Sequence, residues 1–177
     1  IDLTVTSPPY DALRSYKGYS FDFNGIADQL FRITKPGGVV VWVVNDATVN
    51  GSETGTSFKQ ALRFIEIGFN LHDTMIYVKD GSPYPDTVRY YAAFEYMFVL
   101  SKGKPKHINL IADKKNNWYG DKIVSSTNRK KDGTIKPASA KKTDPGKKVK
   151  QFSVRQNVWK YSTGYKKSTK ENMPYKH

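Results

Sequence analysis

A run of six residues without a polar side chain, Val39–Val44, constrains the fold of this chain more than any other feature. The run reads Val-Val-Val-Trp-Val-Val, and β-branched and aromatic residues favour strands. A strand with one face in water alternates polar and apolar residues, whereas this run has no polar face. It therefore predicts a strand that is buried on both faces, as in a sheet covered by helices.

The segments around this run predict a layered α/β fold. In chain order they indicate a strand, a helix, the buried run, a helix and two strands, at residues 1–6, 22–34, 39–44, 57–67, 71–78 and 94–100. The segment between the two helices also holds a polar loop over 45–56. Because no helix-length crossover separates the last two strands, we expect them to be antiparallel neighbours.

Both predicted helices carry apolar residues at helical spacing and have recognisable ends. In the first helix, Asp22 or Asn24 is a candidate N-cap, Lys-Pro-Gly-Gly at 35–38 ends the helix, and one face holds Phe23, Ala27, Leu30 and Phe31. In the second, Gly68 is the candidate terminator, and the repeating apolar positions are Phe58, Ala61, Leu62 and Ile65. This spacing is typical of helices that place one face on a core.

The charge is divided unevenly along the chain. Residues 102–177 hold 21 of the 29 Lys and Arg but 5 of the 16 Asp and Glu, whereas residues 1–101 carry a slight negative excess. Such asymmetry predicts a polyanionic partner, with nucleic acid first and an anionic membrane surface second. The candidate contacts are Lys130, Lys131, Lys141 and Lys142.

Several classes of protein are excluded by composition. The sequence has no cysteine, so a disulfide scaffold and a thiolate metal site are excluded, and its three histidines lack metal-ligand spacing. No apolar run approaches the ~20 residues that span a bilayer, and no secretory leader is visible. We therefore expect a cytoplasmic protein without a metal ion or a membrane partner. Because the chain opens directly on a predicted strand, we also expect a fragment of a longer protein.

The motif that carries chemistry is Ser7-Pro8-Pro9-Tyr10, at the carboxyl end of the first predicted strand. Ligands of α/β sheets bind at such strand ends. The two prolines stiffen the chain and give the Pro8 carbonyl a fixed direction. Together with the Ser7 hydroxyl it offers two acceptors, and Tyr10 adds an aromatic face. The set suits a planar heterocycle that bears an exocyclic amino group, with catalysis by positioning and electrostatics.

This motif resembles the catalytic motif of the DNA amino-methyltransferases, which methylate adenine N6 or cytosine N4 with S-adenosylmethionine. Residues 2–6, Lys-Pro-Gly-Gly at 35–38 and Phe-Glu-Tyr at 94–96 add to the likeness. The resemblance covers about residues 1–102 and is to the permuted class, in which the catalytic half precedes the cofactor half. It implies a partial Rossmann-like methyltransferase sheet with antiparallel edge strands, followed by a basic, partly irregular segment.

The resemblance also implies roles for individual residues. Ser7 and the Pro8 carbonyl would bind the target amino group, beside Pro9, and Tyr10 would stack on a base flipped out of the duplex. A serine at the first motif position favours cytosine N4, since aspartate or asparagine is commoner for adenine N6. Further candidates for substrate or DNA contacts are Arg14, Tyr16, Lys17 and, after the buried strand, Asp46.

The sequence departs from the family in one respect, because it contains no Phe-x-Gly-x-Gly turn, the family's signature for the cofactor. We therefore expect residues 1–101 to be the catalytic half, residues 102–177 to be a target-recognition segment, and the cofactor half to lie outside the chain. In the basic segment, the aromatic residues Trp118, Tyr119, Trp159 and Tyr161 can either stack on bases or pack a small subdomain.

The sequence leaves two other functions open. One is the same chemistry on RNA or on a protein glutamine, and the other is a DNA-binding remnant without catalysis. The size of the basic segment favours nucleic acid over a protein amide. The resemblance points to a bacterial or phage modification system, and no residue of the sequence identifies a restriction endonuclease partner.

Overall fold

A computed structural model of the chain describes residues 1–9, 21–79, 87–121, 128–136 and 148–161. Two helices and eleven strands lie in these ranges. In chain order they are β1 (Leu3–Thr6), α1 (Phe23–Ile33), β2 (Val39–Val44), β3 (Thr48–Val49), β4 (Ser52–Glu53), α2 (Thr56–Glu66), β5 (Asn70–Lys79), β6 (Phe94–Ser101), β7 (Lys114–Lys115), β8 (Asn128–Arg129), β9 (Ile135–Lys136), β10 (Phe152–Ser153) and β11 (Val158–Tyr161).

Five of the strands form the main sheet, in the order β1-β2-β6-β5-β11. β1 pairs with β2 in parallel, and β6 is antiparallel to both of its neighbours. The predicted antiparallel pairing of β5 with β6 is therefore confirmed. The antiparallel strand β6 lies inside the sheet, between β2 and β5. β5 is an inner strand as well, because β11, which comes from the basic segment, pairs with it in parallel.

Helix α1 forms as its sequence predicts. The Asp22 carboxylate accepts a hydrogen bond of 3.0 Å from the backbone N–H of Gly25 and so caps the first turn. At the other end, the Thr34 hydroxyl donates to the Leu30 carbonyl. Ala27 is fully buried, and the other members of the predicted face pack against the same core cluster, namely Phe23, Leu30 and Phe31.

Helix α2 buries a different face from the one that its apolar spacing indicates. Of the four predicted positions only Ala61 is buried, whereas Phe58, Leu62 and Ile65 are 51%, 60% and 44% exposed. The buried positions besides Ala61 are Ser57, Gln60 and Phe64. The reason is chemical, since Trp42 and Asp46 need polar partners and find them on this side: the Trp42 indole donates to the Gln60 side-chain oxygen at 2.8 Å, and Ser57 hydrogen-bonds the Asp46 carboxylate.

The strand β2 is fully covered on one face only. Val40, Trp42 and Val44 are buried in one cluster with residues of both helices, whereas Val39, Val41 and Val43 are half-buried. The expectation that the run is buried on both faces is therefore wrong for this chain. Among the described residues no helix packs on the second face, since α1 and α2 both contribute to the first.

The open face continues onto β1, the outermost strand of the sheet. Leu3 pairs with Val39 and Val5 pairs with Val41, so their side chains share the second face. Leu3 and Val5 are 59% and 64% exposed. The apolar surface made by β1 and the second face of β2 is called the open sheet face below.

The chain divides into two compact units. One contains the described residues of Ile1–Ile108 and those from Gln156 on, and the other contains those of Asn109–Arg155. This division differs from the predicted ranges 1–101 and 102–177, because β11 belongs to the main sheet. Within the predicted loop over 45–56, β3 and β4 form a short antiparallel hairpin. Neither described helix is long and apolar enough to cross a membrane.

Candidate active site

The candidate site lies at one end of the main sheet, where four strands end and one begins. This end of the strands is called the ligand edge below. β1, β2, β5 and β11 run in the same direction, while β6 runs against them. Their carboxyl ends therefore meet the amino end of β6 at this edge. In α/β sheets ligands bind outside the carboxyl ends of the strands, so the polar residues that follow these strands are the candidates.

Residues of the predicted catalytic motif follow β1 at this edge. Ser7 is exposed, Pro8 is buried and Pro9 is half-buried. Because β2 extends two residues beyond Trp42, the last partner of β1, the first motif residues lie alongside the end of β2. The prolines lack a backbone N–H and end the pairing. The motif's Tyr10, together with the candidates Arg14, Tyr16 and Lys17, falls outside the described residues.

Asp46 lies at the same edge, two residues after β2, and its carboxylate is engaged by the start of α2. The backbone N–H of Ser57 donates to Oδ1 at 2.9 Å, and the Ser57 hydroxyl donates to Oδ2. The N-cap of this helix is Gly55, which has no side chain to offer. Asp46 thus supplies the acceptor that the cap lacks and places a negative charge at the positive end of the helix.

Two further polar pairs at this edge were not predicted from the sequence, although Glu95 lies within the Phe-Glu-Tyr segment that adds to the family likeness. The Asn45 side-chain amide donates to the Phe94 carbonyl at 3.2 Å and so ties the end of β2 to the start of β6. Lys79, the last residue of β5, forms an ion pair with Glu95, whose side chain is 9% exposed. The feature of the sequence that could have indicated these contacts is the position of each polar residue at a strand end.

Tyr96 follows Glu95 in β6 and lies on the side of the sheet that faces α2. Its ring contacts Phe58, Phe94 and Phe98. Burial raises the pKa of the Tyr96 phenol above its ordinary value, and the negative charges of Asp46 and Glu53 raise the pKa further. The phenol therefore stays neutral at physiological pH.

The basic candidates that the structure describes lie in the second compact unit. Lys130 and Lys131 are exposed at the turn between β8 and β9. The turn is closed by a hydrogen bond from the Gly133 N–H to the Lys130 carbonyl, and Asp132 accepts bonds from the N–H and hydroxyl of Thr134. Lys141 and Lys142 fall outside the described residues. Within the described part of the chain, no group of three or more His, Asp or Glu is placed to hold a metal ion.

Comparisons with known proteins give a family and a relative. A family model described as DNA methylase, for N6 and N4 methyltransferases, matches residues 1–177. The orphan methyltransferase M.BamHII of Bacillus amyloliquefaciens is 57% identical over 180 residues, which include the whole of this chain. The chain spans 65% of the length of that relative.

Some solved structures match part of the chain. The protein TTHA0409 of Thermus thermophilus, crystallised with S-adenosyl-L-methionine, is 27% identical, with 62% of this chain and 49% of that protein covered and a TM-score of 0.46. The cytosine-N4-specific PvuII DNA methyltransferase is 21% identical, with 60% and 44% covered and a TM-score of 0.46.

Proposed function

Because the chain belongs to the DNA methylase family, we propose that it forms the catalytic portion of an enzyme that methylates DNA. The acceptor in this proposal is an exocyclic amino nitrogen, N4 of cytosine or N6 of adenine. The observation that carries the proposal is the family match over residues 1–177, with the Ser-Pro-Pro motif at the ligand edge of the sheet. The serine at position 7 favours cytosine.

The motif residues act on the amino group of the target base. The Ser7 hydroxyl and the Pro8 carbonyl each accept a hydrogen bond from one amino hydrogen, which directs the nitrogen lone pair away from them. In the product a methyl group has replaced one of these hydrogens. The displaced proton leaves after the nitrogen has attacked, so the motif needs no strong base and acts by positioning and electrostatics.

Tyr10 completes the binding of the base in this proposal. The amino nitrogen of a paired base lies inside the duplex, so the target base is flipped out before it reaches Ser7. The Tyr10 ring then stacks on the base and replaces part of the stacking that the base loses on leaving the duplex.

S-adenosylmethionine is the methyl donor that we assign, on the strength of the motif's resemblance, and when bound it supplies the methyl group as an electrophile. The residues present do not make up a complete site for it. The sequence has no Phe-x-Gly-x-Gly turn. Most of the donor site therefore belongs to residues outside this chain.

The open sheet face supports this division of the enzyme. Leu3 and Val5 are exposed on the outermost strand, and the adjoining face of β2 has no helix of the described residues on it. A surface of this kind is normally covered in parallel sheets. We assign the cover to the part of the protein that corresponds to the remaining third of the 57% identical relative. In this arrangement residues 1–101 hold the catalytic motif, and the basic segment of residues 102–177, apart from β11 in the main sheet, recognises the target.

The net charge of +13 fits a DNA substrate, because Lys and Arg that neutralise phosphates release counterions and give salt-dependent binding. The same basic surplus disfavours a protein glutamine as the substrate. We assign the enzyme to the cytoplasm, where DNA is accessible to it.

The test is a methyl-transfer assay with the full product of the gene that encodes this chain. The assay uses labelled S-adenosylmethionine and duplex DNA, followed by nucleoside analysis for N4-methylcytosine and N6-methyladenine. We expect transfer by the wild-type protein and its loss in Ser7→Ala. The matched control is Ser52→Ala, at an exposed serine of the β3–β4 hairpin, which should transfer normally.

Two results would count against the proposal. If the full gene product binds DNA in a salt-dependent manner but transfers no methyl group to it, the chain is part of a DNA-binding remnant. If the protein methylates single-stranded RNA and not duplex DNA in direct competition, the chemistry is right and the substrate is wrong.

A further inference from the structure

Two adjacent aromatic side chains, Trp118 and Tyr119, are highly exposed in the second compact unit. Trp118 is 71% and Tyr119 64% exposed. In the described part of the chain neither ring stacks on another ring, and neither side chain makes a hydrogen bond. Two large rings side by side leave a wide apolar area in contact with water, and exposed apolar patches often mark binding sites. Their position therefore indicates a partner.

The turn that carries these rings is held on both sides by backbone hydrogen bonds. Before the turn, the Asn116 N–H donates to the Gln151 carbonyl at 2.9 Å, and the Asn116 side chain donates to the Lys150 carbonyl at 2.7 Å. After the turn, the Gly120 N–H donates to the Val149 carbonyl at 3.1 Å. Gly120 has a φ of +87°, which favours glycine. The rings are thus presented by a turn of fixed geometry.

The surroundings of the turn are strongly basic. The two chain segments that hold it, residues 114–121 and 148–153, carry four exposed lysines, Lys114, Lys115, Lys148 and Lys150. Against these four lysines, the two segments hold one acidic residue, Asp121. Lysine is depleted in protein–protein interfaces, whereas aromatic rings set among cations are typical of surfaces that bind nucleic acid.

The other two aromatic residues that were stacking candidates in the basic segment behave differently. The rings of Trp159 and Tyr161 contact each other, and Tyr161 also contacts Tyr77 of β5. The Trp159 indole donates to the Gln156 carbonyl at 3.0 Å. The sequence left open whether these aromatic residues stack on bases or pack within the protein. Trp159 and Tyr161 therefore pack, within the main sheet.

We propose that the turn at Trp118 and Tyr119 is a base-stacking element, whose rings stack on or wedge beside DNA bases while the surrounding lysines contact phosphates. The inference rests on the proposed function and adds to it the residues that contact bases outside the catalytic motif. Stacking on a base is worth about 1–3 kcal/mol per base, because every base presents an aromatic face.

The test measures DNA affinity and tryptophan fluorescence of the full gene product at several salt concentrations. For Trp118→Ala we expect the affinity to fall about 5- to 100-fold, with an unchanged slope of log affinity against log salt. For Lys114→Ala combined with Lys115→Ala we expect the slope to decrease by about 1 for each phosphate that is no longer neutralised. DNA should quench the emission of the wild-type protein and of Trp159→Phe, and the quenching should be lost in Trp118→Phe.

Three results would overturn the inference. The first is a Trp118→Ala variant that binds DNA as tightly as the wild-type protein; if Ser7-dependent methyl transfer persists, the proposed function stands and the stacking element alone fails. The second is a Trp118 emission that is already blue-shifted without DNA, which would place the turn against the rest of the protein. The third is a wild-type protein that does not bind DNA, in which case both proposals fail.

Discussion

The carboxylate of Asp46 accepts hydrogen bonds from both the backbone N–H and the hydroxyl of Ser57. This pair joins the end of β2 to the first turn of α2 across eleven residues of sequence. The same two elements are joined again in the core, where the Trp42 indole donates to Gln60. The packing of α2 against the sheet thus depends on polar contacts as well as on the apolar core cluster.

Replacement of Asp46 by alanine should lower the free energy of unfolding by about 1–2 kcal/mol, because the start of α2 loses its acceptor. Asp46→Asn should cost less, since an amide oxygen still accepts one bond. Urea unfolding followed by circular dichroism measures both effects, with Asp73→Ala at an exposed position of β5 as the control. A variant of unchanged stability that no longer binds substrate would instead support the predicted substrate contact at Asp46.

Replacement of Gln60 by leucine should also destabilise the chain, by about 1–3 kcal/mol, because the buried indole N–H of Trp42 is left without an acceptor. The matched change Gln29→Leu, at an exposed glutamine of α1, should alter the free energy of unfolding by less than about 0.5 kcal/mol. A direct comparison of the urea unfolding curves of the two variants measures this difference in the free energy of unfolding. Equal stabilities of the two variants would mean that the Trp42–Gln60 contact is not needed.

The elements of the main sheet that follow local rules could be predicted from the sequence. The cap at Asp22, the stop at residues 35–38 and the inner face of α1 depend on neighbouring residues along the chain, and the structure confirms them. The position of Ser7, Pro8 and Pro9 after β1 is confirmed for the same reason, since two prolines end a strand wherever it lies.

The features that the sequence did not predict depend on partners that are distant along the chain. Apolar spacing alone favoured the face of α2 with Phe58, Leu62 and Ile65, but the polar demands of Trp42 and Asp46 turn Gln60 and Ser57 inward. β11 pairs with β5 at a separation of about eighty residues, and four residues of a basic segment carry no signal of such pairing. The Lys79–Glu95 ion pair depends on the same sheet register.

The stability of the second unit should depend on pH through Asp113. Arg155 hydrogen-bonds the Asp113 carboxylate and lowers its pKa below the ordinary value. A lowered pKa in the folded state means that the contribution is present above about pH 4 and is lost as the pH falls through the folded pKa. Carboxyl NMR titration measures this pKa directly, and Arg155→Gln should move it back towards the ordinary value. An unchanged pKa in that variant would contradict the assignment of the cause.

The open sheet face leads to a prediction that compares two adjacent valines of β2. Val40 is fully buried and Val41 is half-buried on the opposite face. In the 177-residue chain, Val40→Thr should cost about 1–3 kcal/mol, because a hydroxyl is buried among apolar side chains, and Val41→Thr should cost less than about 1 kcal/mol. In the full gene product the two costs should become similar, since the proposed cofactor half then covers Val41. Equal costs already in the shorter chain would show that the second face is covered without that part, and the proposed docking of the cofactor half on it would fail.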